Sequence, residues 1–205
     1  MNEMLNTACQ ASWASSTRAK MKYEHIIDID SFRNLSPTAL GLLPASIKDR
    51  IDRRRPPKLR TSTRQHKDRA PEVVARIVKV GIANLHIYNP HDDYDLRISI
   101  NVEVNLNHPD LNPLELIEDN DKIPAPDRKK DRVSYKTLAY QLYLTRVDIA
   151  GLDRPKYELE VEVDTATLRH QMDLANSQRE HAYSHVVSGL LDNAAWLTRQ
   201  KVPTS

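Results

Sequence analysis

One cysteine and four glycines are all that 205 residues provide of those two types. The lone Cys9 excludes an internal disulfide, so nothing covalent staples the fold, and the chain suits a reducing compartment. The scarcity of glycine excludes a glycine-rich phosphate cradle. Neither GxxxxGK followed by Ser or Thr nor GxGxxG occurs, so any phosphate chemistry must use side chains. No apolar run approaches the roughly 18 residues needed to span a bilayer. Residues 1–20 contain no apolar signal-peptide core, and no membrane partner is expected. An excess of one charge sign is also missing: Lys+Arg 30 against Asp+Glu 28 leaves +2. Partner recognition must therefore rest on where the charges sit rather than on their sum.

What is there is a lean apolar fraction, 40%, beside 28% charged residues. At this length the chain forms one domain with a real core, and such a composition implies a lean core or a polar interior. Residues 1–20 read as a weak helix with Leu5, Ala8, Cys9 and Trp13 on one side. Residues 22–47 are mixed, with Pro37 and Pro44 interrupting any long element. Residues 48–69 are strongly basic, a segment expected to be partly mobile, in which a strand starts near Lys58; it reads either as a guide for RNA phosphates or as a solvated linker. Short β runs follow from Glu72 to Val80, Ile82 to Tyr88 and Leu96 to Leu106. A proline-rich loop over 107–127 carries acidic Glu115, Glu118, Asp119 and Asp121. Further strands are expected at Arg132 to Tyr135, Leu138 to Val147 and Tyr157 to Val163. The tail switches to helical spacing, giving a short helix after Thr165 and a longer one from about Gln178 to Arg199. The eight histidines show no metal spacing; Trp13 and Trp196 read as packing residues.

Strand side chains alternate between two faces. Over Leu96 to Leu106, one face is aliphatic and the other holds Arg97, Ser99, Asn101, Glu103 and Asn105. Over Tyr157 to Val163, one face is Tyr157, Leu159, Val161 and Val163, and the other is Glu158, Glu160 and Glu162. Those carboxylates lie about 7 Å apart along one face and repel unless water screens them or a cation neutralises them. Taken alone, such a strand reads as the solvated face of an antiparallel sheet. Its neighbours point elsewhere. Arg97, Ser99 and Glu103 share a polar face, Arg128, Lys130 and Arg132 share a phase, and Lys79 interrupts an apolar strand. A sheet curled with these faces inward encloses a wet, charged channel whose apolar outside needs helices to cover it. Carboxylates there could hold Mg²⁺ or Mn²⁺, and arginines and lysines could grip phosphate oxygens.

The runs Arg97-Ile-Ser-Ile-Asn-Val-Glu103, Arg128-Lys-Lys-Asp-Arg-Val-Ser134 and Glu158-Leu-Glu-Val-Glu162 resemble the fungal RNA 5′-triphosphatases. These are the β subunits of the mRNA-capping enzyme, within the triphosphate tunnel metalloenzymes. The resemblance runs from about Tyr23 to about Gln200. It implies an α+β fold: an eight-stranded antiparallel barrel with helices on its outside, whose interior removes the terminal phosphate of nascent RNA with a divalent metal. By the same resemblance, Glu162 matches a direct metal ligand, and Glu158 and Glu160 match companions that hold the metal's waters. Glu103 matches the carboxylate that orients the attacking water, and Lys130 a lysine on the terminal phosphate. Arg132, Arg128, Arg97 and Lys79 match the basic lining, Ser99 and Thr145 match tunnel hydroxyls, and Arg60 matches the phosphate-binding arginine, with Arg64 as a nearby alternative. The resemblance further implies the nucleus, an RNA guanylyltransferase partner and a homodimer.

Two departures from the family pattern stand out. Tyr143 occupies a position that is an aspartate in the family, replacing a charged water-holding group by a larger neutral phenol. The family also opens its barrel with a strand bearing Glu-x-Glu, and no such strand precedes Met4-Leu5-Asn6. Six or seven strands are therefore expected instead of eight, with an incomplete metal site and open sheet edges. The rival reading is a catalytically inactive tunnel domain that binds phosphate ends or the guanylyltransferase.

Overall fold

The structure, a computed structural model, describes residues 1–17, 19–51, 56–91, 94–118 and 124–200. Its centre is one seven-stranded antiparallel sheet. The strands are β1 (Lys22–Asn34), β2 (Lys58–Arg64), β3 (Glu72–Ile87), β4 (Leu96–Asn105), β5 (Arg128–Lys136), β6 (Tyr140–Ile149) and β7 (Lys156–Val163). They lie in the order β4-β3-β2-β1-β5-β6-β7. The helices are α1 (Asn2–Ala14), α2 (Pro37–Leu42), α3 (Ala45–Lys48), α4 (Thr165–Asn176) and α5 (Tyr183–Thr198). Seven strands agree with the upper sequence count.

The mixed segment 22–47 contains β1, the 13-residue strand at the middle of the sheet, so the sequence reading there is corrected. Its two faces both mix apolar and polar side chains, which removes the alternation that marks a half-buried strand. Gly81 was read as a break between two strands, but β3 runs through it with a register shift between Gly81 and Ala83. A second shift lies in the β2–β3 pairing, between Ser62 and Thr63. Such bulges add a residue to one strand, bend it and increase its twist. The bend is visible electrostatically: Glu162 on β7 senses the charges of Lys79 on β3 and Glu103 on β4, from the other end of the strand order. Only a strongly curled sheet brings those strands face to face. The basic run at Arg128 lies inside β5 rather than ahead of it.

The apolar side faces outward, as expected, and is covered in two places. On β2 and β3, Leu59, Val78 and Val80 pack with Leu35, Ala39, Leu43 and Ile47 from α2, α3 and the adjoining segments, and with Leu116 from the short 3-10 turn Pro113–Leu116. Ser36 caps α2, accepting from the Ala39 N–H at 3.0 Å while its own hydroxyl donates to the Glu115 carbonyl. On β5, β6 and β7, Tyr135 and Leu142 pack with Leu5 and Cys9 of α1 and Leu197 of α5. The Tyr135 hydroxyl is not left dry, because it meets the side-chain amides of Asn2 and Asn6 at 2.6 Å each. Trp13 and Trp196 are 57% and 47% exposed, so neither is the packing residue the sequence suggested. Trp13 is instead held at the rim, its indole N–H donating to the Met21 carbonyl at 2.7 Å.

Helix α5 approaches the sheet through Gly189. A Cβ built there would lie 2.2 Å from the Tyr140 hydroxyl oxygen and 3.1 Å from its ring carbon. That hydroxyl donates to the Val186 carbonyl at 2.9 Å, so it is not free to swing away. Gly189→Ala should therefore destabilise the chain by about 1–3 kcal/mol through overpacking, despite alanine's better helix propensity. Combining it with Tyr140→Phe removes the nearest clashing atom. Urea midpoints of the single and double variants check this, with the double variant recovering part of the loss.

Candidate active site

Residues directly opposite one another in antiparallel strands project to the same side. Glu158 pairs with Thr145, which pairs with Arg132, and Glu160 pairs with Tyr143. Lys130 pairs with Asp28, and Arg128 pairs with Asp30, which pairs with Ser62. Lys79 pairs with Glu103. Following these registers around the sheet puts the singled-out residues other than Arg97 and Ser99 on one side, the concave one. The aliphatic residues between them make the outer cores.

Three clusters line that face. In the first, the Arg132 guanidinium is held on three sides. Its Nε donates to Thr145 Oγ1 at 3.1 Å, its Nη2 lies 3.3 Å from Glu160 Oε2, and its plane sits 4.3 Å from the Tyr143 ring centre. In the second, Glu103 lies between two cations, with Lys79 Nζ at 3.4 Å and Arg60 Nη2 at 3.7 Å. In the third, Lys130 Nζ contacts Asp30 Oδ2 at 2.7 Å, and the Ser62 hydroxyl donates to Asp30 Oδ1 at 2.6 Å. Arg128 completes the basic side, 5.3 Å above the Phe32 ring. Arg97 and Ser99 are not brought to these clusters. They sit past the bulge on the exposed end of the β3–β4 ribbon, where Ser99 donates to Asn84 Oδ1 at 2.7 Å.

Arg60 and Arg64 differ in their partners. Arg64 is committed to Asp28, at 2.7 and 3.4 Å. Arg60 keeps a buried Nε–H with no hydrogen-bond partner. A buried unsatisfied donor on a cation is costly, and an anionic oxygen in the channel would satisfy it. In the basic segment, Lys48 donates to the Gly41 carbonyl and Lys58 to the Pro124 carbonyl. Arg53, Arg54, Arg55, Asp119 and Asp121 lie outside the described residues.

Electrostatics sharpen the wall formed by β6 and β7. Desolvation, and then the neighbouring Glu160 charge, push the Glu162 carboxyl above the usual carboxylate range, with Arg132 and Lys79 opposing. Glu162 as a whole residue is exposed, so the shift reflects the local surroundings of its carboxyl rather than burial of the whole side chain. The Tyr143 phenol is pushed up to about 12, chiefly by burial and then by the Glu162 charge. Two repelling carboxylates with hard oxygen donors fit Mg²⁺ or Mn²⁺, which would relieve their repulsion. Among the described residues no three His, Cys, Asp or Glu side chains form a group that could hold a metal.

Asp30 and Ser62 were missed in the sequence. Asp30 is 2% exposed and Ser62 8%. Burial alone would raise the Asp30 carboxyl, but the close Lys130 charge and the hydrogen bond from Ser62, helped by Arg60, hold it below its ordinary value of 3.8. The available signal was phase: Asp28 and Asp30 alternate with Ile27 and Ile29, as Lys130 does with Lys129 and Asp131. Ser62→Ala should destabilise the fold by about 2 kcal/mol, the range for a hydrogen bond to a charged group. Thermal melts at pH 7 test it, and Ser62→Thr, which keeps the hydroxyl, should lose less.

The model of the family "mRNA capping enzyme, beta chain" matches residues 1–202. The mRNA-capping enzyme subunit beta of Schizosaccharomyces pombe is 28% identical over 204 residues, covering 98% of this chain and 58% of that protein. The corresponding Candida glabrata subunit is 28% identical over 137 residues, covering 62% of this chain and 21% of its own length. The chain thus spans little more than half of the first relative and about a fifth of the second. Among solved structures, the S. pombe Pct1 RNA triphosphatase in complex with the Spt5 CTD superposes with a TM-score of 0.72 at 27% identity, covering 98% of this chain and 67% of that one. The same enzyme alone gives a TM-score of 0.69 at 27% identity, with the same coverage.

Proposed function

The chain belongs to the mRNA capping enzyme beta chain family, and from that premise we propose that its concave face hydrolyses the terminal phosphate of 5′-triphosphate RNA with Mg²⁺ or Mn²⁺. The observation that carries this reading is the arrangement of one face: Arg132 beside Glu160 and Thr145, opposite Glu103 between Lys79 and Arg60. That face supplies cations for phosphate oxygens on both sides and a carboxylate on each.

In this reading Arg132, Arg60, Lys79 and Arg128 bind and orient the triphosphate, and Lys130 adds its charge from beneath, tied to Asp30. Arg97 and Ser99 contact the RNA nearer the ribbon end. Glu103 hydrogen-bonds the attacking water and takes its proton as the oxygen–phosphorus bond forms. The bond between the terminal phosphorus and its bridging oxygen breaks, leaving a diphosphate end and inorganic phosphate. Glu162, with Glu158 and Glu160, would hold the divalent ion, which when bound draws charge from the phosphate oxygens. The partners in this reading are nascent RNA, an RNA guanylyltransferase and a second copy of the chain, in the nucleus.

A second reading is favoured by one fact: no three described carboxylates or histidines form a metal-holding group. A face that binds phosphate ends without cleaving them would have the same basic lining. Manganese-dependent phosphate release from triphosphate-ended RNA separates the two, with a Glu160→Ala, Glu162→Ala chain as control. Release by the chain and not by the control supports hydrolysis. No release above the control from a folded protein that still binds tripolyphosphate supports the binding module.

A further inference from the structure

We propose that Asp30 and Ser62 are positioning residues of this face: the buried carboxylate, fixed by the serine hydroxyl, sets where the Lys130 ammonium stands and so where the terminal phosphate is held. The inference rests on the hydrolytic reading for the phosphate, and on geometry for the placement of Lys130.

A lysine ammonium rides on a flexible four-carbon stem, so its place must be set by its neighbours. The residues directly opposite Lys130 do not set it. They are Asp28 on β1 and Val147 on β6. Asp28 is engaged by Arg64 at 2.7 Å, and a valine side chain offers no acceptor. The ammonium instead meets Asp30 Oδ2, on the same face one step along β1, at 2.7 Å. Asp30 has its own opposite residues, Arg128 on β5 and Ser62 on β2. The Arg128 guanidinium lies over the Phe32 ring, whereas the Ser62 hydroxyl donates to Asp30 Oδ1 at 2.6 Å. A row of side chains from the adjacent strands β2, β1 and β5 thus ends at the ammonium.

Two features favour placement over stability as the role of this row. Apolar residues of similar volume usually serve a fold as well as a buried ion pair does. Asp30 and Ser62 are nevertheless both buried, and they belong to neither of the outer apolar cores. The contact with Lys130 is also one of charge: Asp30 Oδ2 is buried and accepts no aligned hydrogen bond, although Nζ is 2.7 Å away. The carboxylate therefore anchors the ammonium while leaving its three N–H donors for phosphate oxygens.

Asp30→Asn removes the anchor together with a negative charge that repels phosphate. Tripolyphosphate affinity by calorimetry should therefore hold or rise. The kcat for triphosphate RNA should fall about 10- to 100-fold, since a misplacement of about 1 Å can cost on the order of 100-fold. Expressing kcat per binding site titrated removes any unfolded fraction, which is all that a merely structural role would change. Ser62→Ala keeps the charge and should give a smaller loss of kcat, which Ser62→Thr restores. In a Lys130→Met chain, Asp30→Asn should lower kcat no further, because a residue acting through Lys130 has nothing left to place. The neutral Ser62 variants carry the test if the charge variants do not fold. An unchanged kcat per site in folded variants, or an undiminished effect of Asp30→Asn without Lys130, would overturn the proposal and leave hydrolysis standing. A parent chain that binds tripolyphosphate but releases no phosphate would sink hydrolysis. Crystal structures with tripolyphosphate then decide the placement: Lys130 Nζ should lie between Asp30 and a phosphate oxygen in the parent and be displaced in the Asp30→Asn chain, and an ammonium in the same place in both rejects it. A parent that binds no tripolyphosphate defeats both readings.

Discussion

Lys130→Met should lower the stability of the folded chain by about 3–5 kcal/mol, the cost of removing one partner from a buried ion pair. The geometry leaves Asp30 no alternative. It is 2% exposed in the central strand, its Oδ2 faces Lys130 Nζ at 2.7 Å, and its Oδ1 is occupied by Ser62. Methionine preserves most of the lysine stem and its packing, so the loss reports the charge rather than a cavity. Arg60 also lowers the Asp30 carboxyl, but through its charge alone and as the smallest of the named causes. Asp30→Asn in the same chain removes the stranded charge and should recover much of the stability, because neutral partners can share hydrogen bonds where a lone carboxylate cannot. Urea titrations of the parent, single and double variants at pH 7 measure all of this.

The same pair sets a pH dependence whose sign reverses on mutation. In the parent, the Asp30 carboxyl titrates below its ordinary 3.8. Its contribution to stability is complete above that value and is lost as pH falls through the folded value. Without Lys130, burial, the largest of the causes, should outweigh the remaining influences of Ser62 and Arg60 and raise the carboxyl. The folded state then binds a proton more readily than the unfolded state. Acidification from pH 7 toward 4 should therefore stabilise the Lys130→Met chain. Midpoints measured from pH 7 down to 3 should show parent and variant approaching each other. Parallel curves would mean that Asp30 is not the group left stranded.

Lys130 illustrates how the sequence could be read and where the reading stopped. Its presence on the inward face followed from phase, because Arg128, Lys130 and Arg132 alternate with residues of the opposite side. The glutamate row of β7 and the polar face of β4 followed in the same way, since their aliphatic partners left no doubt about which side was buried. Strand β1 gave no such clue. Ile26 shares its inward face with Glu24, Asp28 and Asp30, while Ile27 and Ile29 share the outer face with His25 and Ser31. A strand between a charged channel and a partly covered outer surface has no clean alternation to detect. The Lys130–Asp30 ion pair is a diagonal contact between separate strands, where the register sets Lys130 opposite Asp28 and Asp30 opposite Arg128, so sequence alone does not reveal it. Gly81 misled for a local reason, since the absence of a side chain reads equally as a turn or as a bulge. Tyr143 was legible as a departure, but the seat it gives Arg132 depends on an orientation fixed only by Thr145 and Glu160.

Glu103→Gln should leave the fold intact and lower turnover by about 100- to 10,000-fold, the span of general acid–base contributions. Stability should change little, because the Glu103 side chain is 42% exposed and its ion contacts, 3.4 Å to Lys79 and 3.7 Å to Arg60, are long and open to solvent. Turnover should collapse because glutamine keeps the size and one acceptor oxygen but cannot take the proton of the attacking water. The split between kinetic constants is the sharper prediction. In the hydrolytic reading, Glu103 of the parent competes with substrate for Lys79 and Arg60. Removing its charge frees both cations for phosphate oxygens, so KM for triphosphate RNA should stay level or fall while kcat drops. A phosphate-binding role for Glu103, through Lys79 and Arg60, would instead raise KM and leave kcat alone. Steady-state phosphate release at saturating Mn²⁺ distinguishes the two, with Lys79→Ala as the reference for a residue whose loss should act mainly on KM.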